Sequence, residues 1–129
     1  MLKSKILNSL KQYPMIKLCL LFGSAAKGPL RFDSDIDIAV AADRTLSSQE
    51  KLSLIEDLAI QLKRGVDLID MQQVSGYILQ QALSTGKIIC NKDKNLYAFL
   101  IKKMWYNQAD MMPYYDMILR KRRERFLNG

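Results

Sequence analysis

Alternating acidic and apolar residues open one short segment of the chain, Asp35-Ile36-Asp37-Ile38. Alternation of this period is typical of a β-strand, because side chains two residues apart point to the same face of a sheet. The pattern therefore predicts a strand over 35–42 that carries both carboxylates on one face. Two adjacent carboxylates repel each other and are hard to bury unless a positive charge lies between them. A divalent cation such as Mg²⁺, which prefers oxygen ligands, would supply that charge.

A turn with the properties of a phosphate site precedes this segment by ten residues. It closes the apolar run 15–22, which is predicted to be another strand. Gly23 permits close approach of the backbone, and Ser24 offers a hydroxyl group and a backbone N–H. The residues that follow predict one helical turn, whose free N–H groups would face an anion. Lys27 and Arg31 in the same connection would add positive charge, so this loop is a candidate nucleotide-binding site.

A third acidic residue lies in a later apolar segment, which begins after Gly65 and is predicted to be a strand over 66–71. If this strand pairs beside the first acidic one, Asp67 joins the two earlier carboxylates. Asp70 competes for the same role from the opposite face, and alternation does not choose between them without the pairing register. Three acids facing a phosphate cradle suit phosphoryl or nucleotidyl transfer.

The rest of the chain is predicted to be mainly helical. A helix is expected from Ser47 or Ser48 to about residue 64, with Glu50 completing a capping box, Gly65 as the C-cap and Leu52 on its apolar face. Other helices are predicted over 2–12, 75–84, 91–111 and 113–126, and an edge strand over 87–90. This order of elements predicts an α/β (α+β) fold in which helices cover a small mixed sheet.

Length and composition favour one domain over 1–129, with a core of about 1–90 and a helical, partner-binding extension of about 91–129. No apolar stretch is long enough to span a bilayer and no signal peptide is visible, so we expect a cytoplasmic protein. The absence of histidine excludes a histidine general base and the usual zinc sites. Cys19 and Cys90 fall in predicted strands and are expected to remain thiols.

The net charge of +7 is concentrated near the C-terminus, where residues 120–125 carry five basic side chains and one acidic one. A solvated helix end, an acidic protein partner and direct nucleic-acid binding are all open interpretations of this run. Methionine, tyrosine and other apolar residues recur through 96–126. Because such residues are enriched at interfaces, this region favours a protein-binding surface over a purely internal core.

The spacing of Gly23-Ser24 from Asp35-Ile36-Asp37 resembles the signature of the polymerase-β-like nucleotidyltransferase superfamily. Residues 15–90 are most similar to its minimal prokaryotic branch, and within that branch to the MntA-type antitoxins that are paired with HEPN-domain toxins (HepT). One departure is Lys27, where many relatives carry arginine, so the charge is kept but the bidentate fork is lost.

The resemblance implies a polymerase-β-like nucleotidyltransferase fold with a C-terminal helical extension, and it assigns roles to the residues above. Gly23 and Ser24 would hold the triphosphate of ATP. Asp35 and Asp37 would bind two Mg²⁺ ions, and Asp67 would be the third carboxylate, which helps to activate the attacking hydroxyl group.

The resemblance also implies a reaction and a partner. AMP would pass from ATP to a tyrosine hydroxyl of a cognate HEPN ribonuclease toxin encoded alongside, and the modification would neutralise the toxin within a hetero-oligomer. Two alternatives stay open: an antitoxin that acts only by docking to the toxin, and an enzyme that modifies a small molecule such as an antibiotic. No membrane partner is expected.

Overall fold

The structure is a computed structural model that describes residues 2–23, 26 and 34–107. Within these residues the chain forms helices and strands that alternate after an initial helix and two strands. In chain order they are α1 (Leu2–Leu10), β1 (Ile16–Phe22), β2 (Ile36–Ala42), α2 (Ser48–Leu62), β3 (Val66–Asp70), α3 (Tyr77–Thr85), β4 (Lys87–Asn91) and α4 (Lys94–Asn107). The predicted strands are thus confirmed, with ends that shift by one residue.

The four strands form one mixed sheet in the order β3-β2-β1-β4. Strand β1 is antiparallel to both of its neighbours, whereas β2 and β3 run parallel. The α2 helix provides the crossover that a parallel pair requires. The predicted mixed sheet and the edge position of β4 are therefore confirmed, and β2, which carries the acidic pattern, lies inside the sheet.

Helices cover both faces of the sheet, so the core has two layers. On one face α1 and α2 pack against alternate residues of β1 and β2, with Ile6, Leu54, Leu58, Ile36 and Ile38 fully buried. On the other face α3 and α4 bury a second cluster. Its members from helices and strands include Leu18, Leu20, Ala39, Ala41, Leu79, Leu83, Leu100 and Met104. The alternation along β2 divides its side chains between these two clusters, as period-two patterning requires.

Helix α2 begins where the sequence predicts and ends earlier. Ser47 is the N-cap, and its hydroxyl accepts from the backbone N–H of Glu50. The backbone N–H of Ser47 donates in turn to the Glu50 carboxylate, which completes the predicted capping box. The prediction that Gly65 is the C-cap is wrong, because Lys63 adopts the left-handed conformation at φ 56° and its N–H bonds to Ala59. The predicted place of Leu52 on the apolar face is also wrong, since it is 57% exposed.

Replacing Ser47 with alanine is expected to lower the free energy of unfolding by about 1 kcal/mol, because the first turn of α2 loses a side-chain acceptor for its N–H groups. Ser48, one residue later, makes the matched control, since it is exposed and its hydroxyl is not part of the capping box. Urea unfolding monitored by circular dichroism measures both variants. Equal losses for Ser47→Ala and Ser48→Ala would contradict the capping role.

The predicted C-terminal helices are described only in part. The helix expected over 91–111 runs as α4 to Asn107, while the helix expected over 113–126 and the basic run 120–125 lie outside the described residues. On α4, Phe99 and Tyr106 are 59% and 83% exposed. None of the helices in the described part of the chain combines the length and apolar character needed to cross a bilayer.

Two cysteines lie opposite each other in the sheet. Cys19 of β1 and Cys90 of β4 are register partners, and both are free thiols on the face covered by α1 and α2. Burial, and to a lesser degree the nearby Cys90 thiol, raises the pKa of Cys19 to about 12. The prediction that both remain thiols within strands is confirmed.

Candidate active site

The parallel pairing of β2 with β3 places two acidic residues side by side. Asp37 and Asp67 are direct register partners, and their carboxyl groups lie within hydrogen-bonding reach of each other. Along their strands, Asp37 lies two residues before Ala39 and Asp67 lies two residues before Ile69, and both of these belong to or pack against the cluster beneath α3 and α4. Side chains two residues apart point to the same face, so the two acids share that face of the sheet. The two strands that carry these acids are therefore neighbours in the sheet, which is the condition under which Asp67 was expected to join the earlier carboxylates.

Asp37 is the electrostatically strained member of the pair. Desolvation by burial raises the pKa of its carboxyl group, and the charges of Asp67 and then Asp35 raise it further, as does the hydrogen bond to Asp67. A group whose ionised form is opposed by its surroundings favours either a proton or a cation. Since the described residues present carboxylates here, this site is suited to attract a cation.

Gly23, at the end of β1, is fitted to the same carboxyl group. It has φ +71°, in the left-handed region that favours glycine, and a Cβ added there would lie 2.2 Å from Asp37 Oδ2. The backbone of the turn and the Asp37 side chain are therefore in close contact. The N–H of Ala26 donates to the Gly23 carbonyl at 3.2 Å. Apart from Ala26, the helical turn predicted after Ser24 lies outside the described residues.

Asp35 occupies a different setting from the other two acids. It lies just before the first residue of β2 and is exposed. Its carboxylate rests against Gly65, where an added Cβ would lie 2.4 Å from Oδ1. Sequence reasoning assigned Gly65 to a helix cap and missed this contact. The available signal was a glycine directly before the strand that carries Asp67.

The predicted phosphate-binding residues are covered only in part. Of the four candidates, Gly23 is described, whereas Ser24, Lys27 and Arg31 lie outside the described residues. Their contribution to nucleotide binding stays a prediction. Gly23, which directly precedes Ser24 in the sequence, nevertheless lies beside Asp37.

The chemistry of the acidic pair fits Mg²⁺. Among residues 2–23, 26 and 34–107, no group of three or more His, Cys, Asp or Glu side chains is arranged to hold a metal ion. Mg²⁺ is commonly bound by one or two carboxylates together with waters and substrate phosphates, however, so it does not need a complete protein cage. Asp37 and Asp67 supply two hard oxygen donors in register, and the raised pKa of Asp37 reflects the charge that a cation would offset.

Asp70, the competing acid on β3, has a structural position. It is 1% exposed, and its carboxylate accepts from the backbone N–H groups of Leu46 at 3.0 Å and Gln72 at 2.9 Å. It shares a face with Leu68, which belongs to the cluster beneath α1 and α2. Asp70 therefore points away from Asp37, and the register favours Asp67 as the third candidate carboxylate.

We expect Asp70→Ala to lower the free energy of unfolding by about 3 kcal/mol, because it leaves the buried N–H of Leu46 and the partly buried N–H of Gln72 without their acceptor. Asp67→Asn, at an exposed position, is expected to change stability by less than about 0.5 kcal/mol. Urea unfolding of the nucleotide-free protein tests both. Similar losses for the two variants would contradict the structural role of Asp70.

Comparison with known proteins identifies the fold. Residues 4–95, from α1 to the start of α4, match the family model described as polymerase beta, nucleotidyltransferase. This chain belongs to that nucleotidyltransferase family. The matched range contains the three candidate acids and the whole mixed sheet, and solved structures of related chains share the fold.

One curated protein and chains of two solved structures are similar to this nucleotidyltransferase over almost their whole length. Protein adenylyltransferase MntA from Shewanella oneidensis is 33% identical over 121 residues, which is 91% of this chain and 87% of the relative. The crystal structure of a toxin-antitoxin with AMP-PNP matches with a TM-score of 0.73 and 30% identity, covering 91% of this chain and 98% of that one. A chain in the structure of the tri-AMPylated Shewanella oneidensis HEPN toxin in complex with MNT antitoxin matches with a TM-score of 0.67 and 31% identity. The match covers 92% of this chain and 96% of that one.

Proposed function

We propose that this chain is an antitoxin that transfers AMP from ATP to a tyrosine hydroxyl of a cognate HEPN ribonuclease toxin and thereby neutralises it. The observation that carries the proposal is the register pairing of Asp37 with Asp67 beside Gly23. That arrangement occurs in a chain of the nucleotidyltransferase family that is 33% identical to a protein adenylyltransferase. The relative bound to AMP-PNP supports ATP as the nucleotide.

The acidic residues would act on both reactants, the α-phosphate of ATP and the tyrosine hydroxyl. Asp35, Asp37 and Asp67 would hold Mg²⁺, for which two ions are expected, and the metal would supply a Lewis acid to polarise the α-phosphate. Asp67, which is exposed, would help to deprotonate the incoming tyrosine hydroxyl. A bond then forms between the tyrosine oxygen and the α-phosphorus, the bond to the bridging oxygen breaks, and pyrophosphate leaves.

The turn after β1 would hold the triphosphate. Gly23 lets the backbone approach the nucleotide beside Asp37, and Ser24, Lys27 and Arg31 would contact its phosphates. Backbone N–H groups and basic side chains stabilise charge that develops on a leaving pyrophosphate. This role requires the turn and the acids to stay in contact, which the close approach of Gly23 to Asp37 supports.

The exposed residues of helix α4 favour a role in binding a protein partner. Phe99 and Tyr106, seven residues apart, expose large aromatic surfaces on the part of the chain assigned to partner binding. Aromatic residues are enriched in the centres of protein interfaces. We therefore propose a hetero-oligomer in which the extension over 91–129 docks on the toxin, within a single domain over 1–129. Two free cysteines agree with a cytoplasmic location.

Intact-mass analysis of the HEPN protein encoded beside this chain tests the proposal. The toxin is co-expressed with the wild-type chain, with Asp35→Asn/Asp37→Asn, or with Asp43→Asn, an exposed control at the other end of β2. The proposal predicts one or more AMP increments with the wild type and the control, and none with the double variant. A toxin that is bound and neutralised without any added mass would instead identify an antitoxin that acts by docking. No modification and no complex would favour a small-molecule acceptor.

A further inference from the structure

We infer that Arg64 and Gly65 are positioning residues that hold the carboxylate of Asp35 beside Asp37. The inference rests on the proposed function, in which Asp35 helps to bind the metal. Asp37 and Asp67 are positioned by the β2–β3 register itself. Asp35 precedes β2 and is exposed, so its orientation depends on contacts made outside the strand ladder.

Two hydrogen bonds, one on each side of Asp35, connect its backbone to this consecutive pair. The Nη1 group of Arg64 donates to the carbonyl of Ser34 at 3.3 Å. The backbone N–H of Ile36 donates to the carbonyl of Gly65 at 3.0 Å. Because the residues before and after Asp35 are both attached to the same short turn, the direction of the Asp35 side chain follows the position of that turn.

The absent side chain of Gly65 provides the space in which the Asp35 carboxylate lies. A Cβ at this position would lie 2.4 Å from Oδ1 and 3.0 Å from Cγ of Asp35. Real Cβ atoms do not approach other heavy atoms so closely, and the short aspartate side chain has few ways to yield without moving its carboxylate. The φ of Gly65 is not in the left-handed region, so backbone conformation alone does not require a glycine here. The requirement comes from the nearby Asp35 carboxylate, which leaves no room for a Cβ.

The end of helix α2 sets the position of Arg64. Lys63 takes the left-handed conformation, and the N–H groups of Lys63 and Arg64 both donate to the carbonyl of Ala59. The chain thus leaves the helix abruptly and enters β3 within three residues. The backbone N–H of Arg64 is thus attached to the last turn of α2, and its side chain extends from there to the carbonyl of Ser34 before Asp35.

Metal binding by the nucleotide-free protein tests the inference, with Mn²⁺ as the probe and electron paramagnetic resonance to count free ions. Arg64→Ala and Gly65→Ala are expected to weaken Mn²⁺ binding about tenfold, the usual effect of removing a residue that orients a metal ligand. Arg64→Lys keeps one donor and should recover part of the affinity. Arg44→Ala removes the same charge from an exposed ion pair with Glu50 and should bind Mn²⁺ like the wild type.

A background without the Asp35 carboxylate separates positioning from a general loss of structure. In Asp35→Asn, the further changes Arg64→Ala and Gly65→Ala should weaken Mn²⁺ binding by less than about twofold, because residues that act through a common partner are not additive. Full additivity would overturn the inference, as would wild-type binding by Arg64→Ala and Gly65→Ala. If Asp35→Asn alone leaves both Mn²⁺ binding and AMP transfer unchanged, the proposed role of Asp35 fails, and the inference fails with it.

Discussion

Replacing Asp37 with asparagine is expected to lower AMP transfer by on the order of a thousandfold while the fold is retained. A divalent ion contributes several kcal/mol of transition-state stabilisation, and each 1.4 kcal/mol corresponds to about a factor of ten in rate. Asparagine keeps the shape of the side chain but removes the charge that attracts the ion. Asp37 is the acid that contacts both Asp67 and Gly23, so its loss affects the whole site.

The same variant is expected to stabilise the metal-free protein. Burial and the neighbouring acids raise the pKa of Asp37 above its ordinary value of 3.8, so ionisation of this group opposes folding. Its contribution to stability is therefore present below pH 3.8 and is lost as the pH rises through the raised pKa of the folded state. At neutral pH, Asp37→Asn should melt at a higher temperature than the wild type, with the difference vanishing in acid.

Thermal melts with and without Mg²⁺ check these expectations together with the transfer rate. Mg²⁺ should stabilise the wild type and Asp43→Asn, because an ion that binds only the folded state shifts unfolding by mass action. Mg²⁺ should leave the melting temperature of Asp37→Asn unchanged. A variant that melts lower than the wild type without metal, or that retains transfer, would contradict the described electrostatics of the site.

Gly23→Ala is expected to reduce transfer at least about a hundredfold and to cost about 1–2 kcal/mol of stability. The stability loss follows from placing a side chain at φ +71°. The loss of activity follows from the clash between the new Cβ and Asp37 Oδ2, because a displacement of about 1 Å in a reacting group can cost a hundredfold in rate. Steady-state transfer to the toxin and urea unfolding measure the two effects.

Gly76 provides a control that separates these two causes. It precedes α3 and has φ +69°, close to the φ of +71° at Gly23. Gly76→Ala should therefore lose a similar amount of stability while AMP transfer falls much less. If the two variants lost activity equally, backbone strain rather than contact with Asp37 would explain the effect of Gly23→Ala.

Local patterns were sufficient to predict most of the fold. The alternation that begins at Asp35 predicted β2 to within one residue, and Ser47 with Glu50 predicted the start of α2. Both signals depend only on neighbours along the chain, a strand face in one case and a capping box in the other. Predictions from local patterns are correct where the tertiary packing and the local preference favour the same structure.

Features that depend on distant parts of the chain were not predictable in this way. The pairing of Asp37 with Asp67 is a register, and a shift of two residues would keep every side chain on its face. The structural role of Asp70 depends on the N–H of Leu46, which is 24 residues away in sequence. Gly65 was assigned to a helix end, whereas its essential property is the space that it leaves for Asp35.

The Cys19–Cys90 pair makes the motion of the sheet accessible to chemical labelling. An alkylating reagent reacts with a thiolate, and Cys19 is fully buried with a pKa of about 12, so it should be protected while β1 and β4 remain paired. Its alkylation rate would then report how often this edge of the sheet opens. Because β1 leads directly to Gly23 and β4 leads to α4, that rate would reveal whether nucleotide and toxin each slow the same opening.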